Sequence, residues 1–174
     1  LSLLPSLMKD LVGGTQSVIT LALVVFTVGI AVGSGLAAAA SKMRPNLALV
    51  PLGALLMGLF SLDLGWAASG IVTSPTPLDA FGFLASPTGV RICIDLLGLA
   101  IAGGLFIVPS FASVQAWAPA DRRARVIAGV NVLNAAFMTA SAVALMGLQA
   151  IGVGLGGQFA ILGVGSLVTM GLVM

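Results

Sequence analysis

Five apolar stretches carry most of this chain, at about 17–40, 47–69, 88–116, 126–151 and 157–174, with polar residues gathered in the short intervals between them. A helix needs roughly 20 consecutive apolar residues to cross the hydrocarbon core of a bilayer. At a rise of about 1.5 Å per residue the first stretch reaches about 36 Å, enough to cross with some tilt. The pattern predicts five transmembrane helices. Ahead of them, residues 1–8 read as the tail of a helix interrupted by Pro5. Gly13 and Gly14 read as a flexible loop, and Thr15, Gln16 and Ser17 as polar or capping groups for the first full span.

Charge in the intervals predicts which way the spans run. Lys42 and Arg44 follow the first span, and Arg122, Arg123 and Arg125 follow the third. Clustered Lys and Arg in short loops mark the cytoplasmic side. Five basic residues then lie inward against two, Lys9 and Arg91, toward the outside. The interval from Gly70 to Gly89, rich in turn formers through Pro75, Pro77, Asp79 and Pro87, is expected outside. Its Phe81, Phe83 and Leu84 either dip into the interface or cover the mouth of a cavity. Trp66 and Trp117 suit the interfacial aromatic belt.

Within the spans, the polar residues are few and cluster. Asp63 lies about 9 Å from the outer end of the second span, and Asp95 about 10 Å in from the same side on the third. A charge at a helix centre costs about 2.5 to 3.5 kcal/mol to insert, less toward the interface, so it needs a reason. Arg91 and Asp95 share a helical face, and Arg91 also comes within reach of Asp63. Two roles fit the three: an interhelical ion pair, or an arginine that meets a phosphate bidentately. Asn131 and Asn134 form a stripe with Met138 and Ser141 on the fourth span, either as hydrogen-bonding glue between helices or as the lining of a headgroup path. Gly29 and Gly33, four apart, suit close helix packing. Gly103, Gly104 and Pro109 predict a kink in the third span.

Composition narrows the class further. Apolar residues make up 59% of the sequence and charged residues 7%, against about one quarter charged in soluble domains. Such a chain cannot coat a soluble surface. It contains no His and a single Cys, Cys93, so neither a disulfide pair nor an imidazole or thiolate metal cluster is expected. No cofactor and no metal are expected. The net charge of +2 reads as topology information, and no nucleic-acid partner is expected.

The segment from Ile107 to Ala142 carries a more specific likeness. A helix holding IVP, a loop with AP, a basic RARVIAG and then NVLNAAFM resemble the lysophospholipid transporter branch of the major facilitator superfamily. Where that branch tends to place a second Asn beside Asn131, this chain has Val130. The resemblance to major facilitator proteins also implies a clamp between neighbouring helices at the loop holding Lys42 and Arg44, beside simple anchoring of that loop, although the loop has no acidic partner. The resemblance extends from Pro5 to about Ser141. It implies an all-α integral membrane fold, the C-terminal half of a twelve-helix transporter, with five full spans and an N-terminal helix stub. Both ends of the chain read as cuts, and the missing N-terminal six-helix half is an implied partner. The implied function is flipping of lysophospholipid, chiefly lysophosphatidylethanolamine, to the inner leaflet of the bacterial inner membrane for re-acylation. The acyltransferase is a separate or fused protein, so this chain is expected not to be an enzyme. Transport of another small amphipathic substrate or drug, and a nontransporting membrane scaffold, are the alternatives.

Overall fold

In the computed structural model, which describes residues 3–41, 46–71 and 77–173, the regular structure is helical apart from one isolated bridge between Gly14 and Leu78. A short α1 (Leu4–Ser6) runs into a π-helical turn (Leu7–Leu11). The long helices are α2 (Gln16–Ser41), α3 (Leu49–Ser69), α5 (Pro87–Trp117), α6 (Arg123–Ala150) and α7 (Leu155–Val173). All five are long and apolar enough to cross a membrane. The chain thus has the helices of a multi-pass membrane protein. Each expected span is matched by a helix whose ends differ by only a few residues.

The interval after α3 is not simply a loop. Residues Ala80–Ala85 form a short helix, α4, because Asp79 accepts a hydrogen bond from Gly82 N at 2.7 Å and caps it. Ser86 then caps α5 by accepting from Gly89 N at 2.9 Å, with Pro87 in the first turn where a missing N–H costs least. Phe83 is buried beneath α4, whereas Phe81 and Leu84 are exposed. Thr15 and Ser17 do more than cap α2. The Thr15 hydroxyl donates to Leu78 O at 3.1 Å, and Ser17 Oγ accepts from Ala80 N at 3.1 Å, which ties α4 to the start of α2.

The helices pack in the order α2, α5, α3, α7, each against the next. Gly33 explains how closely the first two approach. It is buried against the backbone of Ile101, and a Cβ there would run into that backbone. Gly29 faces Ala100 and Leu97 in the same way. The two glycines therefore serve contact within this chain, rather than a face left open for another helix. α5 runs unbroken through Pro109; the Ser110 and Ser113 hydroxyls donate to the carbonyls of Phe106 and Pro109.

α6 departs from the row. It has no buried residue and touches α5 only sparsely. Gly152, at φ 86°, turns the chain from α6 into α7 in a backbone conformation that favours glycine.

Candidate functional site

The charged residues inside the spans meet between α3 and α5. Asp63 sits on α3 and Arg91 and Asp95 on α5, four residues apart. Arg91 Nε donates to Asp63 Oδ2 at 3.1 Å, and Arg91 Nη2 donates to Asp63 Oδ1. A planar guanidinium fits a carboxylate through two parallel bonds, which fixes direction as well as charge. Of the two acids within Arg91's expected reach, Asp63 is the one it holds.

Asp95 lies beside Asp63 but differs in exposure. It is 2% exposed, and its Oδ2 meets no partner. Arg91 and Asp63 are respectively 46% and 42% exposed at their side chains. Arg91 has five N–H donors and uses two of its nitrogens on Asp63, so donors remain on its accessible side. The cluster can hold α3 to α5 and still offer a guanidinium to an anionic group. Among the described residues no three His, Cys, Asp or Glu side chains gather as a metal site would require.

The other expected site residues are not brought to this cluster. Asn131 and Asn134 lie on α6 and are exposed. α6 stands off from the bundle, so no other described helix covers that stripe. Arg122, Arg123 and Arg125 are exposed, with Arg122 Nε at 3.4 Å from Asp121 Oδ2. Because α6 begins at Arg123, two of these arginines belong to its first turn rather than to a loop. The positive end of a helix dipole disfavours cations there, so the helix itself gives them no electrostatic reason. Lys42 and Arg44 lie outside the described residues.

A cleft of about 380 Å³ also lies among α2, α3, α5 and α7, with Leu145 of α6 at its edge. Phe26, Met57, Leu96, Gly103 and Leu162 are among its walls, and Ser61 and Ser166 are its polar residues. Sequence reasoning missed it, because an apolar residue that lines a cleft looks like one that packs. Gln158, fully buried in the first turns of α7 with an unpartnered Oε1, was also passed over. A lone polar residue in the run GGQFAIL was the available signal. Set against family models, curated proteins and solved structures, the chain matches none.

Proposed function

We propose that this chain is one half of a transporter that moves lysophospholipid, chiefly lysophosphatidylethanolamine, across a bacterial inner membrane toward the leaflet where an acyltransferase consumes it. The observation that carries the reading is the Asp63–Arg91–Asp95 cluster in helices of spanning length. Ionisable groups at that depth are costly, pair with one another and mark substrate and ion paths. A half-exposed guanidinium with spare donors suits a lipid phosphate, and the likeness carried by residues 107–142 supplies the substrate class.

On this reading the halves of a major facilitator transporter rock about a site between them, so the partner is a second six-helix half. Arg91 receives the phosphate, and Asp63 fixes the direction in which the guanidinium points. No covalent step is assigned to these residues, and the acyl transfer belongs to the partner enzyme.

The test is uptake of fluorescent lysophosphatidylethanolamine by cells expressing this chain together with a second six-helix half, read as the fraction that albumin can no longer extract from outside. Arg91→Ala, at matched expression, should lower the initial rate on the order of tenfold, the loss expected for a charge-assisted hydrogen bond. Equal rates for the two proteins would remove Arg91 from the path and with it the support for this substrate.

A further inference from the structure

A second constellation lies where α6 ends and α7 begins. A pocket of about 340 Å³ is lined by Ser6, Gln149, Gln158 and the turn Gly152 to Leu155. Gln158 is fully buried; its Nε2 donates to Val153 O at 3.0 Å, and its Oε1 has no partner. The first helical bond of α7 runs from Gln158 N to Gly154 O at 3.1 Å, so the N–H groups of Leu155, Gly156 and Gly157 precede it. Such a helix start is unsatisfied in donors and favours an anion.

The pocket and the apolar cleft draw their walls from the same three elements. Ser6 lines the pocket and Leu3 the cleft, in the segment whose Leu7 N bonds Leu3 O at 2.9 Å. On α6, Gln149 lines the pocket and Leu145, one turn away, the cleft. On α7, Gln158 lines the pocket, whereas Phe159 and Leu162 line the cleft. Polar side chains therefore sit one helical step from apolar ones at each wall, and that is the pattern of an amphiphile.

We infer that the pocket and cleft form one binding site for a single-chain phospholipid, with the phosphate at the start of α7 and the acyl chain in the cleft. The inference rests on the lysophospholipid reading and adds a site to it, away from Arg91. Its specificity device is Gln158. The free glycerol hydroxyl of a lysolipid donates to the unpartnered Oε1; in a diacyl lipid that oxygen is esterified and has no proton to give. The diacyl lipid therefore gains no such bond, and the cleft, at about 380 Å³, lies at the small end of ligand sites.

Gly103 gives the means to test this. It lines the cleft, and a Cβ built there meets nothing within 4 Å, so a larger side chain projects into empty space. The experiment uses the whole 174-residue chain in phosphatidylethanolamine nanodiscs, with lysophosphatidylethanolamine bearing a diazirine at the chain end. Labelling should saturate and map to cleft residues such as Phe159 and Leu162. Gly103→Leu should reduce saturable labelling by about tenfold. Gln158→Leu should raise the half-saturating concentration about fivefold, the worth of one neutral hydrogen bond. A diacyl probe should label weakly and be indifferent to Gln158→Leu. Equal labelling by both probes, or label spread along the exposed face of α6 and unchanged in both variants, would overturn the site. Flux measured on the same variants, co-expressed with a second six-helix half, separates the two readings. Saturable labelling without flux keeps the site and removes transport; flux undiminished by Gly103→Leu keeps transport and removes the site.

Discussion

Asp95 is the residue at which stability and function pull apart. Its neighbour Asp63 is already held by Arg91, while Asp95 Oδ2 is buried without a donor. Replacing a buried acid beside another acid by its amide removes the like charge and supplies N–H donors toward Asp63. Asp95→Asn should therefore stabilise the protein by about 1 kcal/mol, the worth of one hydrogen bond, in thermal or denaturant unfolding in detergent. The same variant should transport more slowly, because natural proteins keep such groups where function needs them. Lower stability with unchanged flux would mean that Asp95 is structural. The cluster itself was legible in the sequence, since charges are rare in apolar runs and helical rise places Asp63 and Asp95 at a common depth. Arg91's choice of Asp63 was not legible. It depends on how α3 and α5 are rotated about their axes, which spacing along one helix does not encode.

At the scale of elements, the α2–α5 contact is set by what Gly33 lacks. Gly33→Leu should push the two helices apart and destabilise the protein by about 1 to 3 kcal/mol, as overpacking does. Gly35 is the control, because a Cβ there meets nothing within 4 Å. Gly35→Leu should be neutral or slightly stabilising through helix propensity alone. Protease resistance of the two variants in detergent checks the difference, and equal resistance would contradict the packing. The five long helices could be read directly, because a bilayer demands continuous apolar length and little else matches it. α4 escaped that reading. Six residues, AFGFLA, between turn formers give no period to detect, and it was the Asp79 cap that made a helix of them. The isolation of α6 was not foreseen either, although Arg123, Arg125, Asn131, Asn134 and Gln149 make it the most polar of the five long helices. The spacing of Asn131 and Asn134 gives them one face of α6, and α6 leaves that face exposed.

The whole molecule is organised by the alternation of its spans, and orientation follows from where the arginines gather. In a Cys93→Ala background, a membrane-impermeant thiol reagent added from outside should label a cysteine placed at Phe81, which is 84% exposed. It should spare one placed at Ala124, between Arg123 and Arg125. The reverse pattern would invert the topology. Transport asks more of the molecule than insertion does. On the proposed reading a lone half presents one wall of a site that two halves form and rock about. The decisive measurement is flux of fluorescent lysophosphatidylethanolamine in liposomes carrying this chain alone, and in liposomes carrying it co-expressed with a second six-helix half. The account predicts saturable flux that appears only with both halves and is lost in Arg91→Ala. Saturable flux from this chain alone, or a complete assembly that leaves lysophosphatidylethanolamine where it was added, would contradict it.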